Sequence, residues 1–346
     1  MAQPVKVLIV DDSRTIRALI KRSFAQNPDI EVCGEAANPL EARELIIKDQ
    51  PDVITLDVEM PGMNGLQFLE KIMRLRPIPV VMVSSLTAKG ADTAITALQM
   101  GAFDCFPKTN VAAGEDAFAG LGRLVVQAAR SQPVARVQRR TPAAPVGHVQ
   151  TTWGNAVDLV AIGSSTGGVE ALEEVLSGFP QKSPPIVICQ HMPPLFTASL
   201  ANRLNQTMPT LSIAEARDGE ALQPGMVRIA PGGDRHMVVE AGGGKYITRL
   251  VGGAPVSGHC PSVDVLFRSV AKCAGRNALG IILTGMGRDG ADGLLAMRQA
   301  GAFTIAQDKT SSVVYGMPRV AAEIGAACQI VPLRQISAAA MAMHTR

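Results

Sequence analysis

A serine between two glycines is the feature of this sequence best suited to chemistry. Gly163, Ser165 and Gly167 form a G-x-S-x-G pattern that follows an apolar, strand-like run and precedes a segment with helical spacing. Glycines in this pattern permit a sharp strand-to-helix turn that exposes one hydroxyl near a helix N-terminus. The frame selects Ser165, not Ser164, as a nucleophile. The same turn could instead bind a phosphate or cap a helix, so the pattern alone leaves both interpretations open.

A serine of this kind needs two partners. Serine is a weak nucleophile at its own pKa, so an imidazole must take its proton and a carboxylate must orient that imidazole. His191 and Asp289 are the preferred partners because each, like Ser165, lies just past the carboxyl end of a predicted strand. The ends of parallel strands meet at one edge of a sheet, so these distant residues can converge. The alternatives that remain open are His236 or His259 as the base and Asp264 or Asp292 as the carboxylate.

A second group of polar residues, in the first part of the chain, suits phosphoryl chemistry. Its members each follow a predicted strand and are Asp11, Asp12, Asp57, Ser84 and Lys108. Carboxylates packed together raise each other's pKa unless a cation lies among them. Hard oxygen ligands beside one lysine suit Mg²⁺ and a phosphoryl group, although a charged rim of unrelated residues is the alternative.

The elements that position this acidic group alternate between strand and helix. The predicted strands cover 5–10, 31–34, 53–56, 80–83 and 104–106. The predicted helices cover 13–26, 38–49, 65–76, 87–100 and 115–130, and Ser13 is a predicted helix N-cap. This alternation predicts a doubly wound parallel sheet, whose ligands bind beyond the carboxyl ends of the strands.

The second half of the chain repeats the alternation around the serine. The strands that precede the three candidate residues end at 162, 189 and 283, another strand covers 246–251, and the predicted helices cover 169–176, 196–205 and 263–274. We expect a second doubly wound α/β domain with three layers. The predicted domains are 1–126 and 152–346, and the stretch 127–151, rich in arginine, proline and small residues, is interpreted as a linker.

Composition excludes several classes of protein. The chain of 346 residues is 47% hydrophobic and 18% charged, which is enough to build two cores. Its first residues lack the apolar region typical of a signal peptide, and it has no run of about 18 apolar residues. We therefore expect a cytoplasmic protein that does not insert into a membrane. Six cysteines without C-x-x-C spacing suggest neither a zinc ribbon nor disulfides, and a net charge of +3 is too small to imply a nucleic-acid partner.

The acidic group and the turn at 60–65 together resemble the receiver domain of two-component signalling, over residues 1–126. The fold implied is flavodoxin-like. The resemblance implies that Asp57 accepts a phosphoryl group from a histidine kinase and that Mg²⁺ is held by Asp11, Asp12 and Asp57. It also implies that Ser84 and Lys108 contact the phosphoryl oxygens.

The sequence departs from the receiver pattern at two positions. Receivers place an aromatic residue three positions before the lysine and a proline after it, whereas this chain has Cys105 and Thr109 there. These departures bear on the aromatic rotamer switch and not on the phosphorylation chemistry.

Motifs in the second half resemble, in family order, those of the CheB family of chemotaxis receptor protein-glutamate methylesterases. The stretches that carry the resemblance are 162–168, 190–193, 230–232, 261–267, 283–290, 307–308 and 314–318. The resemblance implies that Ser165 is the nucleophile, His191 the general base and acid, and Asp289 the orienting carboxylate.

The implied activity is hydrolysis of glutamate γ-methyl esters on methyl-accepting chemotaxis receptors, with release of methanol. The same site could deamidate glutamine, and phosphorylation by the chemotaxis histidine kinase would activate it. The candidates for an oxyanion hole are the backbone N–H groups of Thr166, Met286 and Gly287. No cofactor is expected in this second domain.

Two rival functions are weighed against this one. A receiver can control a DNA-binding domain, but the second half is far longer than a helix-turn-helix module and has no basic recognition helix. A catalytically inactive adaptor would keep the same fold, and the intact set of Ser165, His191 and Asp289 argues against it.

Overall fold

The computed structural model describes residues 3–60, 63–108, 118–131 and 157–342. The chain divides into two units, Met1–Pro133 and Val134–Arg346, and each is described by itself. Within the predicted linker, residues 127–130 continue a helix, and residues 132–151 lie outside the described part of the chain. The predicted domain boundaries therefore stay a prediction.

The first unit is a parallel sheet flanked by helices. Its strands are β1 (Val5–Val10), β2 (Ile30–Ala36), β3 (Val53–Asp57), β4 (Val80–Ser85) and β5 (Asp104–Lys108), in the spatial order β2-β1-β3-β4-β5. Its helices are α1 (Arg14–Phe24), α2 (Pro39–Asp49), α3 (Gly65–Leu75), α4 (Ala88–Met100) and α5 (Ala119–Arg130). Strands β1, β3 and β4 are buried almost throughout, as expected for parallel strands that are covered on both faces.

Local capping residues determine where several of these helices begin. Asn38 accepts two backbone N–H bonds in the first turn of α2, and Pro39 occupies the first helical position. Asn64 and Gln67 form a reciprocal capping box at the start of α3. Gly65 is required there because a Cβ atom would lie 2.1 Å from the carbonyl oxygen of the last β3 residue. The chain therefore turns tightly over the carboxyl end of β3.

The second unit contains a parallel sheet and a separate antiparallel hairpin. The sheet, in the spatial order β14-β13-β12-β6-β7-β9-β8, is formed by β6 (Leu159–Ser164), β7 (Ile186–Gln190), β8 (Ser212–Glu215), β9 (Met226–Ile229), β12 (Ala278–Ile282), β13 (Phe303–Gln307) and β14 (Gln329–Val331). The hairpin is formed by β10 (Arg235–Gly242) and β11 (Lys245–Gly252). The helices are α6 (Gly168–Ser177), α7 (Phe196–Thr207), α8 (Val263–Ala274), α9 (Ala291–Gln299), α10 (Met317–Glu323) and α11 (Ile336–Met341).

Strand β6 lies at the point where the strand order of the second sheet changes direction. It pairs in parallel with β7 on one side and with β12, much later in the chain, on the other. A switch of this kind leaves a crevice at the carboxyl ends of the strands, where α/β proteins bind their ligands. The predicted fold class, two doubly wound parallel-sheet α/β domains, is confirmed. Among the described residues, no helix combines the length and the apolar character that crossing a membrane requires.

Candidate active site

The strand-to-helix turn after β6 presents Ser165 at the carboxyl edge of the sheet. Gly167 makes the turn possible because its φ of 76° lies in the left-handed region. Gly163 has a different role from the one expected, since it lies within β6 and a Cβ there would come 2.2 Å from Val263 Cγ1. Its absent side chain lets α8 pack against the strand. The prediction that both glycines shape the turn is therefore wrong for Gly163.

The backbone of Ser165 is held from three sides. Its N–H donates to the Thr284 carbonyl oxygen at 3.0 Å. Its carbonyl oxygen accepts from Gly168 N at 2.7 Å and from Gln190 Nε2 at 2.9 Å. Ser165 is 8% exposed, and no group in the described part of the chain hydrogen-bonds its Oγ. The backbone of Ser165 is thus fixed in place, and its hydroxyl is available to a reacting group.

His191 and Asp289, the predicted partners of the serine, are brought together. His191 follows β7, and its Nε2 lies 2.8 Å from Asp289 Oδ2. The His191 side chain is 7% exposed, and its Nδ1 is buried without a hydrogen-bond partner among the described residues. A backbone hydrogen bond from His191 N to the Ser164 carbonyl oxygen, 3.1 Å long, connects the histidine to the strand-to-helix turn. No hydrogen bond joins Nδ1 to Ser165 Oγ in the described part of the chain. Nδ1 is the ring nitrogen that Asp289 leaves unoccupied, so we expect it to act on Ser165, and catalytic hydrogen bonds of this kind often form only when substrate binds.

Asp289 is held by the N-terminus of α8. Its Oδ1 accepts from Ser262 Oγ at 2.7 Å and from Asp264 N at 3.1 Å. Its Oδ2 accepts from Val263 N at 2.7 Å in addition to the bond with His191. Burial raises the pKa of Asp289, but the bonds from His191, Ser262 and Val263 outweigh it and lower the pKa below its usual value. Asp289 therefore stays a carboxylate at neutral pH.

The other candidate carboxylates have different partners. Asp264 Oδ1 accepts from Gly293 N at 2.6 Å, and burial raises its pKa to about 6. Asp292 lies on α9 and pairs with Arg288 at 2.9 Å. Neither forms a hydrogen bond with His191 in the described part of the chain. The choice of Asp289 that strand position suggested agrees with the geometry.

The other candidate bases, His236 and His259, lie close to the site without replacing His191. His259 stacks on the ring of His191, with 3.7 Å between the ring centroids and 5° between the planes. His236 is buried, accepts from Ser262 N at its Nδ1 and bonds the Ala254 carbonyl oxygen through its Nε2. Both were alternatives to His191 in the sequence, and the stack of His259 on His191 was not foreseen.

Gln190 is a residue of the site that sequence reasoning missed. Its Oε1 accepts from Ser164 Oγ at 2.6 Å, and its Nε2 donates to the carbonyl oxygens of Ser165 at 2.9 Å and His191 at 3.2 Å. A Cβ on Gly168 would lie 2.0 Å from Oε1, so that glycine makes room for the amide. The buried Gln190 side chain thus connects the strand-to-helix turn at Ser165 to the loop that carries His191. The sequence signal for this role was the position of Gln190 at a strand end, directly before His191.

The turn after β12 forms the third wall of the site. A Cβ on Gly285 would lie 2.8 Å from Ser165 Cβ, so only glycine allows this close approach. Thr284 Oγ1 donates to the Thr166 carbonyl oxygen at 3.0 Å, and Thr284 N donates to Gln307 Oε1 at 2.7 Å. The two loops that carry the predicted oxyanion donors are therefore joined beside the serine.

The predicted oxyanion donors themselves lie on these two loops. Thr166 follows Ser165 and is 6% exposed, whereas Met286 is half-buried and Gly287 is exposed, with a φ of 80°. Within residues 157–342, no carbonyl or side-chain oxygen accepts the N–H of Met286 or Gly287. The assignment of these groups to an oxyanion hole stays a prediction.

The acidic group of the first unit also comes together. Ligand oxygens of Asp11, Asp12 and Asp57 all lie within 4.8 Å of one another, so this cluster could bind a metal ion. Lys108 Nζ lies 2.9 Å from both Asp11 Oδ2 and Asp57 Oδ2. Burial raises the pKa of Asp57 to about 6, Lys108 opposes this shift, and the charge of Asp11 adds to it. The Ser84 hydroxyl, at the carboxyl end of β4, donates to the Gly90 carbonyl oxygen at 3.1 Å.

The departures from the receiver pattern are only partly described by the structure. Cys105 lies on β5, its Sγ is 3.5 Å from the Ala94 carbonyl oxygen, and burial raises the pKa of its thiol well above the usual value. Phe106, the next residue, stacks on Phe118 with 6.1 Å between the ring centroids. Thr109, together with residues 61–62 of the turn at 60–65, lies outside the described residues.

Comparisons with known proteins agree with both resemblances. The model of the CheB methylesterase family matches residues 160–340, and that of the response regulator receiver domain matches residues 7–114. A protein-glutamate methylesterase/protein-glutamine glutaminase of Agrobacterium fabrum is 54% identical over 340 residues, covering 97% of this chain and 95% of its own length. Such an enzyme of Pseudomonas aeruginosa is 48% identical over 346 residues, covering 99% and 98%.

Among solved structures, the CheB methylesterase catalytic domain of Thermotoga maritima is similar to the second unit. It is 39% identical, superposes with a TM-score of 0.52, and covers 54% of this chain and 98% of its own. A methylesterase domain thus occupies the part of the chain in which a DNA-binding module would have to lie. The chain belongs to the CheB methylesterase family and carries a response regulator receiver domain ahead of its methylesterase domain.

Proposed function

We propose that this protein hydrolyses glutamate γ-methyl esters on methyl-accepting chemotaxis receptors and deamidates glutamines at the same sites. The observation that carries the proposal is the buried pair of His191 and Asp289, 2.8 Å apart, beside a serine on a strand-to-helix turn. Both reactions are named in the relatives that match nearly the whole chain. Each reaction is an acyl transfer, so one site can perform both.

In the first half of the reaction Ser165 is acylated. Its Oγ attacks the γ-carbonyl carbon of the ester, and His191 Nδ1 accepts the serine proton as the new C–O bond forms. The tetrahedral intermediate then collapses, and His191 returns the proton to the methoxide, which leaves as methanol. From a glutamine side chain the same step releases ammonia.

In the second half water releases the product. His191 Nδ1 takes a proton from water, the water oxygen attacks the acyl carbon, and the ester bond to Ser165 Oγ breaks. The proton returns to Ser165, and the receptor keeps a glutamate carboxylate. Asp289 accepts the Nε2–H of His191 throughout, which keeps Nδ1 as the acceptor nitrogen and stabilises the ring while it is charged.

The developing negative charge on the carbonyl oxygen requires donors. The N–H groups of Thr166, Met286 and Gly287 are the donors we propose, because the loops that carry them are joined beside Ser165 through the Thr284 hydroxyl. One such donor typically contributes about 10² to 10³ in rate. Preorganised backbone groups contribute most because they do not reorient during the reaction.

Control of the activity is proposed to lie in the receiver unit. Asp57 would accept a phosphoryl group from the chemotaxis histidine kinase, and Ser84 and Lys108 would contact its oxygens. The clustered carboxylates of Asp11, Asp12 and Asp57 fit Mg²⁺, which takes oxygen ligands. Bound Mg²⁺ would neutralise charge on the carboxylates and on the incoming phosphoryl group. Lys108 already bridges two of the acids, which supports a role for its ammonium group in balancing the charge at Asp57.

The proposal is tested by assaying methylated receptor membranes for methanol and unmethylated receptor carrying glutamine for ammonia. The intact chain should release both, and Ser165→Ala should release neither. Ser164→Ala is the matched control, because it changes the neighbouring hydroxyl without touching the proposed nucleophile. Release by Ser165→Ala at the wild-type rate would rule the proposal out. A cytoplasmic location stays a prediction from the sequence, which cell fractionation would test.

A further inference from the structure

The ring of His191 is contacted on its face as well as on its edge. Asp289 bonds the edge at Nε2, while His259 covers one face with its own ring, 3.7 Å away and nearly parallel. Hydrogen bonding at one nitrogen leaves a ring free to tilt about that bond. A stacked neighbour removes this freedom, because any tilt breaks the contact between the faces.

The loop that carries His259 is itself firmly held. Val256 and His259 exchange two backbone hydrogen bonds, of 3.0 and 2.9 Å, across the tight turn at Ser257 and Gly258, both of which have positive φ. His236 joins the two ends of the loop, since its Nε2 bonds the Ala254 carbonyl oxygen at 3.1 Å and its Nδ1 accepts from the N–H that precedes α8 at 3.2 Å. The position of the His259 ring is therefore built into the fold.

The same loop also ends at Asp289. Ser262, which follows it, donates its hydroxyl to Asp289 Oδ1 at 2.7 Å and caps α8. One segment of chain thus supports the carboxylate that bonds the edge of His191 and carries the ring that covers its face. The orientation of His191 depends on both.

The His259 ring stays neutral while His191 works. Burial, together with the charge of His191, lowers the pKa of His259 to about 4, although Asp289 opposes the shift. When His191 carries the serine proton, it therefore lies against an uncharged aromatic face, which attracts a cation, and not against a second positive charge.

We propose that His259 is a positioning residue for the reaction, whose aromatic face holds the ring of His191 in the plane in which Nδ1 meets Ser165. The proposal rests on the function proposed above. It assigns to His259 a role played by the face of its ring and not by its nitrogens. A flat aromatic side chain should therefore replace it, and an aliphatic one of similar volume should not.

The test compares His259→Phe with His259→Leu in the full-length protein. Loss of a stacked face and a small misplacement of the base should lower kcat by roughly 10- to 100-fold in His259→Leu, with KM within about threefold of wild type. His259→Phe should keep kcat within about threefold of wild type. The ring protons of His191 should shift upfield in the NMR spectra of wild type and His259→Phe, because a stacked ring shields them, and this shift should be absent from His259→Leu. Thermal midpoints establish that the variants are folded, and His259→Ala replaces the leucine variant if that one does not fold.

A second readout separates this inference from the proposed function. The rate at which a fluorophosphonate labels Ser165 reports base-assisted reactivity without any receptor, and it should fall in His259→Leu and persist in His259→Phe. If wild type releases no methanol but the labelling rates follow that order, methylated receptors are excluded as the substrate. The positioning role of His259 is then still supported. Equal labelling rates in all three proteins, or equal loss in the phenylalanine and leucine variants, would overturn the role of the ring face.

Discussion

Replacing Asp289 by asparagine tests how the histidine is oriented. The structure gives each carboxylate oxygen two donors, which are Ser262 Oγ and Asp264 N at Oδ1, and Val263 N and His191 Nε2 at Oδ2. An asparagine has one acceptor oxygen and one NH₂ group. In either orientation the NH₂ group must face at least one backbone N–H.

The two orientations have different consequences. An NH₂ group in place of Oδ2 would face Val263 N–H and force His191 to accept at Nε2, which leaves its proton on the wrong nitrogen. An NH₂ group in place of Oδ1 would face Asp264 N–H, whose bond is the longest of the four at 3.1 Å. It would not clash with Ser262, because the Ser262 hydroxyl can rotate to accept a hydrogen bond from it. The second orientation disturbs less, so we expect asparagine to keep the productive tautomer.

The expected losses of stability and activity follow from the second orientation of the asparagine. A buried N–H left without an acceptor costs about 1–3 kcal/mol, so the free energy of unfolding should fall by that amount. A hydrogen bond to a charged group contributes about 1.5–3 kcal/mol, whereas a bond between neutral groups contributes about 0.5–1.5 kcal/mol. Exchanging the first for the second at the charged His191 should therefore lower kcat/KM by roughly 10-fold. A wrong tautomer would instead cost about 10⁴-fold.

Methanol release and urea unfolding of Asp289→Asn measure both quantities. Asp292→Asn is the matched control, since Asp292 is a partly exposed acid on the next helix that pairs with Arg288, and its activity should stay within about twofold of wild type. A loss of about 10⁴-fold in Asp289→Asn would refute the orientation argument. Unchanged activity would refute the role of Asp289 altogether.

Three further predictions concern the serine, the base and the receiver. Ser165→Ala should abolish methanol release, whereas Ser164→Ala should keep most of it. Ser164→Ala should lower the free energy of unfolding by about 1 kcal/mol, because it removes the hydrogen bond from Ser164 Oγ to Gln190. Equal losses of activity in the two variants would mean that Ser165 is not the nucleophile. His191→Ala should be nearly as damaging as Ser165→Ala, and the double variant should be no worse than either, because these residues act as a unit; losses that multiply would contradict this. Without a cation the receiver should lose stability as pH rises from 3.8 through about 6, because burial raises the pKa of Asp57 over that range. Mg²⁺ should therefore raise the thermal midpoint of this unit at about pH 7.5 and much less at about pH 5, and an equal rise at both would exclude Asp57 as a ligand.

Elements with local signals could be predicted from the sequence. Asn38 followed by Pro39 predicts a helix start because capping involves only adjacent residues, and α2 begins there. Strand ends were less accurate, since β6 was predicted to end at Ile162 and continues to Ser164. A polar residue at a strand end looks like the start of a loop, but Ser164 pairs in register with Gln190. Pairing with a neighbouring strand is a tertiary property that local sequence does not show.

The functional site also has residues that the sequence could predict and contacts that it could not. Ser165, His191 and Asp289 could be selected because polar residues at the ends of parallel strands converge whatever the connecting loops do. The stack of His259 on His191 could not, because it depends on how a loop between the hairpin and α8 folds back over the sheet. The role of Gly163 was misjudged for a similar reason, since its contact is with Val263, far away in the chain.

We expect the phosphorylated receiver to activate the serine methylesterase in the same chain. The most direct measurement is the timed release of methanol from methylated receptor membranes by the intact protein, with and without a small phosphoryl donor. The donor should accelerate release by wild type, have no effect on Asp57→Ala, and leave Ser165→Ala inactive. Equal stimulation of Asp57→Ala, or release by wild type no faster than by Ser165→Ala, would contradict the account.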